Sequence, residues 1–224
     1  MTPRALMLFA AGFGTRMGAL TADRPKPLVE VAGRPLIDHA LDLITPVVAG
    51  PVIANLHYRA DQLEAHLAGS PVQTVREEPE ILETGGGLKN ALPLLGSGPV
   101  FTMNSDAVWK GPNPLALLAE AWREDMEALL LCIPPDQARG HSGAGDFTSG
   151  PPVTRGPGLI YSGAQIIRTD GLSAIKEQAF SLNLLWNEML ERGTLHVLPY
   201  PGAWCDVGRP EGIALAEDML AHDV

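Results

Sequence analysis

The chain alternates short apolar runs with segments of helical periodicity, and this alternation restricts the possible folds more than any other feature. The first run, Ala5–Ala11, is continuously apolar and ends at a glycine, which is typical of a strand buried on both faces. Residues 34–44 then place apolar side chains at helical spacing, with proline in the first turn. The pattern repeats up to residue 133. We therefore expect an α/β fold, with right-handed crossovers and a mostly parallel sheet between layers of helices.

The second half of the chain resumes the pattern after a change of composition. Residues 134–157 are rich in glycine and proline, which predicts a long loop or a pair of hairpins. The complete prediction places strands at 5–11, 51–55, 72–77, 98–104, 127–133, 159–168 and 195–200, and helices at 34–44, 59–69, 88–95, 113–125, 181–193 and 209–222.

The charge of the chain excludes a protein that coats nucleic acid. The net charge is −10, whereas a phosphate backbone needs a broad basic face. Residues 1–40 nevertheless carry five basic against three acidic side chains. A small anionic ligand near the amino-terminal region is compatible with this distribution, and a polyanion is not.

The apolar runs and the cysteines of the sequence also indicate where in the cell the protein is expected. No apolar run approaches the roughly 18 residues of a membrane span, and the first residues lack the layout of a signal peptide. Cys132 and Cys205 are too few for a disulfide framework and have no zinc-site spacing. We expect a cytoplasmic protein with reduced thiols and no membrane partner.

The turn after the first strand has the properties of a phosphate loop but matches neither common pattern. Gly12 and Gly14 would leave backbone N–H groups free and allow close approach by phosphate oxygens. The P-loop sequence is absent, and the dinucleotide-binding pattern fails because Met17 stands in place of its third glycine.

Two cations follow these glycines. Arg16 can donate two parallel hydrogen bonds to phosphate oxygens, and Lys26 adds a compact charge. Pro27 is expected to hold Lys26 in extended backbone, and Pro25 to do the same for Arg24. These residues predict a phosphate loop whose charge comes from side chains. Composition alone is equally compatible with an ordinary surface loop in which the glycines and prolines have no binding role.

A set of short segments carries a more specific pattern. They are AAGFGTRM (10–17), DRPKPL (23–28), GRPLIDH (33–39), LETGGGL (82–88), NSDAVW (104–109), GDF (145–147), YSG (161–163) and WCDVGRPEGIALAE (204–217). Together they resemble the sugar-1-phosphate nucleotidyltransferases, which join a nucleoside triphosphate to a sugar 1-phosphate and release pyrophosphate. Within that family the likeness is nearest to the short enzymes of the N-acetylmuramate-1-phosphate uridylyltransferase and mannose-1-phosphate guanylyltransferase types.

This resemblance implies a fold and a pair of substrates. The fold is a Rossmann-like three-layer α/β/α sandwich with a mostly parallel mixed sheet, the nucleotide-diphospho-sugar transferase fold. It would form a single domain over residues 1–224, in which 1–110 bind mainly the nucleotide and 111–224 mainly the sugar phosphate. The implied partners are UTP or GTP and N-acetylmuramate or mannose 1-phosphate. The oligomeric state stays open.

The resemblance also assigns four catalytic residues: Arg16, Lys26, Asp106 and Asp206. Asp106 follows a predicted strand and should lie at the carboxyl edge of the sheet. Asp206 comes a hundred residues later. In the family, the matching aspartates bind Mg²⁺, with phosphate oxygens completing its coordination. Arg16 would stabilise the leaving pyrophosphate, and Lys26 would contact the α-phosphate.

Further residues are assigned to binding by the same likeness. Without Cβ atoms, Gly85 and Gly86 would allow a flat base to lie against the main chain. The nucleotide-binding candidates are Ala11, Gly12, Gly14, Thr15, Arg16, Lys26, Thr84, Gly85 and Gly86. The substrate-binding candidates are Glu83, Asn104, Gly145, Asp146 and Gly163.

The chain departs from the family pattern at two positions. Ser105 replaces a glycine or alanine before the first aspartate, a change small enough to be harmless. Ser181 stands where the uridylyltransferases tend to carry a lysine that helps hold the sugar phosphate. This weakens a muramate assignment and favours a mannose substrate or a different phosphate clamp. Arg155 is a candidate substitute, but the simpler expectation is a solvated arginine.

Three other functions can be weighed. A cytidylyltransferase acting on phosphocholine would need an aromatic and acidic cage, yet only 5% of the chain is aromatic. A non-catalytic sensor of nucleotide sugars should lack a catalytic cation or carboxylate, and all four are present. A glycosyltransferase of similar architecture would want an Asp-x-Asp motif, whereas residues 104–109 contain one aspartate.

Overall fold

The computed structural model describes residues 2–222 of the chain. Within these residues, apolar runs form strands and amphipathic segments form helices, mostly where the periodicity predicts them. The strands are β1 (Leu6–Phe9), β2 (Glu30–Val31), β3 (Arg34–Pro35), β4 (Val52–Leu56), β5 (Val72–Arg76), β6 (Val100–Asn104), β7 (Ala107–Lys110), β8 (Ala128–Ile133), β9 (Ala138–Arg139), β10 (Ile160–Ile167), β11 (Leu195–Pro199) and β12 (Ala203–Asp206).

The helices of the same region begin and end within two residues of the predicted bounds, except that the helix predicted at 113–125 ends at Ala121 and one other begins early. The helix predicted at 88–95 begins five residues earlier and takes in the glycine cluster. The α-helices are α1 (Leu36–Ile44), α2 (Ala60–Leu67), α3 (Glu83–Leu95), α4 (Pro114–Ala121), α5 (Asn183–Arg192) and α6 (Glu211–Ala221). Short 3₁₀ helices span Thr15–Thr21, Lys26–Leu28 and Asp170–Ala174.

The principal sheet has seven strands in the order β11-β8-β10-β6-β1-β4-β5. β1 pairs in parallel with β4 and β6, β4 pairs in parallel with β5, and β11 pairs in parallel with β8. Only β10 runs antiparallel to its two neighbours. The prediction of a mostly parallel mixed sheet is therefore confirmed. The carboxyl ends of all the parallel strands meet at one edge, which is where ligands bind in open α/β sheets.

Helices cover both faces of this sheet. Leu6 and Leu8 of β1 pack into a core shared with helices α1, α2 and α4, whereas Met7 between them faces a second core shared with α3 and α5. Because neighbouring side chains of a strand point to opposite faces, one apolar run supplies both cores. This arrangement is the predicted three-layer sandwich.

A smaller sheet, β7-β12-β9, lies beside the principal one and was not predicted from the sequence. β12 pairs antiparallel with β7, which places Asp206 opposite Ala107. β12 also pairs in parallel with β9, with Cys205 opposite Arg139. Helix α6 packs against β12. The small sheet thus joins the end of the chain to the segment that follows β6.

The helices described here are short. Among residues 2–222, none has both the length and the apolar character that a bilayer crossing requires.

Candidate active site

In the loop after β1, the space beside Gly12 is open. A Cβ atom added at Gly12 would have no atom within 4 Å. Gly14 differs, because its φ of 65° is left-handed and a Cβ there would lie 2.9 Å from the Cβ of Lys26. The Thr21 hydroxyl donates to the Gly14 carbonyl at 3.0 Å and fixes the turn. The backbone at Gly12 is therefore accessible to a ligand, while Gly14 shapes the loop around Lys26.

Lys26 is buried and already has an anionic partner. Its Nζ lies 2.7 Å from Oδ2 of Asp106, and only 10% of its side chain is exposed. The expected extended backbone at Lys26 is wrong, since the residue begins a 3₁₀ helix. Pro25 before it is the extended residue, with ψ 149°. Residues 26–28 therefore turn, and the lysine side chain points inward.

The pairing of β7 with β12 in the small sheet brings Asp206 close to Asp106. Asp106 follows β6, Asp206 ends β12, and the Val207 N–H donates to the Asp106 carbonyl at 3.0 Å. Burial and the charge of Asp106 raise the pKa of Asp206, and the charges of Lys26 and Arg16 act in the opposite direction. Two carboxylates that repel each other beside two cations form a strongly polar centre.

Arg16 reaches the same centre. A Cβ built on Gly208 would lie 3.0 Å from both carboxylate oxygens of Asp206 and 3.2 Å from a terminal nitrogen of Arg16. Gly208 thus keeps open a space that both side chains border. The structure brings the four predicted catalytic residues together from the amino-terminal loop, the end of β6 and the end of β12.

The donor set of this centre suits a hard divalent cation. Asp106 and Asp206 offer carboxylate oxygens, the ligands that Mg²⁺ prefers, and their mutual repulsion would be relieved by a cation between them. Among residues 2–222, no group of three or more histidine, cysteine, aspartate or glutamate side chains could hold a metal. Asp106 and Asp206 would each offer a ligand, and substrate and water would complete the coordination.

The second glycine cluster, residues 85–87 in helix α3, packs against other segments of the protein. A Cβ on Gly85 would lie 2.4 Å from the Phe180 ring, and one on Gly86 would lie 2.1 Å from the Gln178 carbonyl oxygen. Thr84 accepts a hydrogen bond from the Leu182 N–H at 3.0 Å. The absence of Cβ atoms at Gly85 and Gly86 allows residues 178–182 to pack on helix α3. Binding of a base at Gly85 and Gly86, with Glu83 and Thr84 as lesser candidates, stays a prediction.

Four of the sugar-binding candidates, Asn104, Gly145, Asp146 and Gly163, lie at the carboxyl edge of the sheet. Gly163 has φ 89°, and a Cβ there would lie 2.9 Å from the Asn104 side chain. A Cβ on Gly145 would lie even closer to the Gly158 carbonyl oxygen. Asp146 accepts a hydrogen bond from the Tyr161 N–H at 2.8 Å, so one of its oxygens is used to hold the loop. Asn104 keeps its side chain half-exposed at this edge.

A buried polar network supports the site and was missed by the sequence analysis. The Ala10 N–H donates to Oδ1 of Asn55 at 2.9 Å, and Asn55 Nδ2 donates to Oε1 of Glu77 at 2.7 Å. The other carboxylate oxygen of Glu77 accepts from the Leu82 N–H at 2.7 Å. Glu77 is only 1% exposed. This chain of bonds connects the start of the phosphate loop to the start of helix α3.

His141 is a second residue that the sequence analysis missed. It follows β9, beside β12, and its charge would lower the pKa of Asp206. The histidines of the chain show no metal-site spacing, so no local signal distinguishes this one. Only the pairing of β9 with β12 brings it near the aspartates.

Comparison with known proteins agrees with this geometry. Residues 6–179 match the family described as the MobA-like NTP transferase domain. The chain belongs to this family. It is also 37% identical to the N-acetylmuramate alpha-1-phosphate uridylyltransferase of Caulobacter vibrioides, over 98% of both chains. The enzyme of that name from Neisseria meningitidis is 32% identical over 90% of this chain and 92% of its own length. The predicted membership of the sugar-1-phosphate nucleotidyltransferases is thereby confirmed.

More distant relatives at lower sequence identity are also similar to this chain. The mannose-1-phosphate guanyltransferase of Gibberella zeae is 28% identical over 92% of this nucleotidyltransferase, which spans 61% of that longer enzyme. The crystal structure of HddC from Yersinia pseudotuberculosis, complexed with GMP-PN, superposes with a TM-score of 0.78 at 22% identity, covering 98% of this chain and all of that one. A putative glucose-1-phosphate thymidylyltransferase from Bacillus anthracis gives the same TM-score at 18% identity, over 99% and 96%. These structures support the fold.

Proposed function

We propose that this nucleotidyltransferase couples UTP to N-acetylmuramate 1-phosphate in a Mg²⁺-dependent reaction. The convergence of Arg16, Lys26, Asp106 and Asp206 around one open space supports the chemistry. The full-length identity of 37% to a uridylyltransferase of that specificity supports the choice of substrates. We assign residues 1–110 mainly to the nucleotide and 111–224 mainly to the sugar phosphate. We expect the reaction to occur in the cytoplasm.

The reaction needs charge control more than proton transfer. A phosphate oxygen of the sugar 1-phosphate attacks the α-phosphorus of UTP, and the bond from that phosphorus to the pyrophosphate oxygen breaks. Because the attacking oxygen is already anionic, we assign no general base. Mg²⁺ held by Asp106 and Asp206 would neutralise charge on the reacting phosphates.

The side chains of the protein supply the remaining stabilisation. Arg16 would bind the departing pyrophosphate with its guanidinium fork. Lys26 would move from its ion pair with Asp106 to an oxygen of the α-phosphate. Preorganised charges of this kind reduce the reorganisation that the transition state would otherwise require.

A second candidate is guanylyl transfer to mannose 1-phosphate. The 28% identity to the Gibberella enzyme favours it, as does Ser181 at the position where the uridylyltransferases tend to carry a lysine. The two candidates differ in both base and sugar. They can therefore be separated by one substrate matrix.

The deciding experiment measures pyrophosphate release with Mg²⁺. UTP, GTP, CTP and dTTP are each combined with the 1-phosphates of N-acetylmuramate, N-acetylglucosamine, glucose and mannose. We expect UTP with N-acetylmuramate 1-phosphate to give the highest kcat/KM. A maximum with GTP and mannose 1-phosphate would replace the first candidate by the second, and release with none of the acceptors would contradict both.

A further inference from the structure

Arg155 is held in an ordered environment. Its terminal nitrogen donates to the side-chain oxygen of Asn183 at 2.6 Å and to that of Asn187 at 3.3 Å. The centre of its guanidinium lies 4.6 Å from the ring centroid of Phe147 and 5.4 Å from that of Trp186. Arg155 is exposed, as expected for a solvated arginine, but neighbouring side chains also hold its guanidinium. Two amides and two aromatic rings fix the plane of the guanidinium.

The positive charge of Arg155 has no ion-pair partner in the part of the chain that the structure describes. Its hydrogen-bond acceptors are neutral amides. Asp146 is the acid that acts on it electrostatically, yet Oδ2 of Asp146 accepts the Tyr161 N–H. Partial burial lowers the pKa of Arg155, against the effect of Asp146. A fixed, partly desolvated and unpaired guanidinium is well suited to a carboxylate or phosphate.

Arg155 lies on the acceptor side of the site. It pairs across a β-bridge with Phe147, next to Asp146, in the loop that leads into β10. β10 begins opposite Ile133, the last residue of β8, so this loop stands at the carboxyl edge of the sheet. The charges acting on Asp206 are those of Asp106, Lys26, Arg16 and His141, without Arg155. Arg155 is therefore at the ligand edge and is not among the charges that act on Asp206.

We propose that Arg155 binds a second anionic group on the acceptor, the lactyl carboxylate of N-acetylmuramate 1-phosphate. This inference rests on the proposed function, and it names the residue that distinguishes the acidic sugar from neutral ones. The guanidinium would donate to the carboxylate from the N–H groups that the asparagines leave free, while one terminal nitrogen stays bonded to Asn183 and Asn187. N-acetylmuramate 1-phosphate carries this carboxylate in addition to its phosphate, and the test below separates the two anions.

The test compares two acceptors that differ in one charge. N-acetylmuramate 1-phosphate and its lactyl amide are assayed with UTP for the wild type, Arg155→Gln and Arg155→Lys. We expect the wild type to prefer the acid by about 10²-fold in kcat/KM, the scale of a charge-assisted pair. Arg155→Gln should reduce that preference to within a few fold by slowing the acid alone. Arg155→Lys should retain part of it, because lysine keeps the charge but not the planar donor geometry of arginine.

The control is Arg123→Gln, at a surface arginine that pairs with Asp125 near the opposite edge of the sheet. It should retain the full preference. Thermal unfolding of each variant identifies loss of the fold, and Arg155→Lys keeps the test valid if Arg155→Gln unfolds. An equal loss on acid and amide in Arg155→Gln would contradict the carboxylate assignment. A wild type that turns over neither acceptor would instead contradict the proposed function.

Discussion

Lys26 and Asp106, eighty residues apart in the sequence, form an ion pair of 2.7 Å in which the lysine side chain is 90% buried. The pair joins the phosphate loop to the end of β6. Its consequence is that the lysine is positioned before any ligand binds. Part of the entropy needed to hold a flexible cation against a phosphate is thus lost during folding rather than during catalysis.

Lys26→Met should remove this cation while retaining most of its apolar stem. We expect kcat to fall by about 10²–10³, since losing one preorganised charge at a transition state has that effect. The measurement is steady-state pyrophosphate release. Lys176→Met, at an exposed lysine, is the matched control and should leave kcat unchanged. Near-normal turnover in Lys26→Met would remove the lysine from the mechanism.

Asp206→Asn should separate activity from stability. Burial and the neighbouring Asp106 raise the pKa of Asp206, so at neutral pH the folded state holds an unfavourable carboxylate. Replacing it by a neutral amide should raise Tm in a metal-free buffer by roughly 2–4 °C. The same change should lower kcat by at least about 10², because the amide is a poorer metal ligand. A lower Tm together with normal activity would contradict the assignment.

The two glycine clusters should respond to alanine in opposite ways. Gly12→Ala places a Cβ in open space, so we expect an unchanged Tm and a higher KM for the nucleotide. Gly86→Ala places a Cβ 2.1 Å from the Gln178 carbonyl oxygen, so we expect a loss of stability of about 1–3 kcal/mol. Denaturant unfolding and nucleotide kinetics on both variants provide the check. An unstable Gly12→Ala with normal KM would show that Gly12 is needed only for the turn.

The principal sheet could be predicted because each of its strands is a local signal. β4 and β8 are apolar at nearly every position and buried along their whole length, so their runs stand out from the flanking sequence. β7, β9 and β12 were missed because they are two to four residues long and pair with each other across large sequence distances. No local periodicity exists in such short segments.

The start of α3 shows where local propensity fails. Three consecutive glycines are poor helix formers and predict a turn. They become helical because Phe180 and Gln178 pack where Cβ atoms would otherwise lie, a contact that only the tertiary fold supplies. The four candidate catalytic residues were predicted through a family pattern, since an isolated aspartate has no signature of its own. Nothing in the sequence marks Glu77 as a buried carboxylate rather than a solvated one.

Glu77→Gln tests the network that connects the phosphate loop to α3. The amide can accept only on its oxygen, so either Asn55 or the Leu82 N–H loses a partner. Leaving a buried donor unpaired costs about 1–3 kcal/mol, and we expect that loss in the free energy of unfolding. KM for the nucleotide should rise as well, because Asn55 holds the Ala10 N–H.

The matched control for this network is Glu78→Gln, at the exposed neighbouring residue, which should change neither quantity. A destabilised Glu77→Gln with normal KM would restrict the network to a structural role.

The antiparallel pairing of β7 with β12 makes the proposed reaction centre depend on two segments that lie far apart in the sequence. Asp106 gains its carboxylate companion only when β12 has docked against β7. A polypeptide in which β12 is absent or misplaced would retain the phosphate loop and Lys26 without a complete reaction centre. Transfer activity should therefore report correct docking of β12.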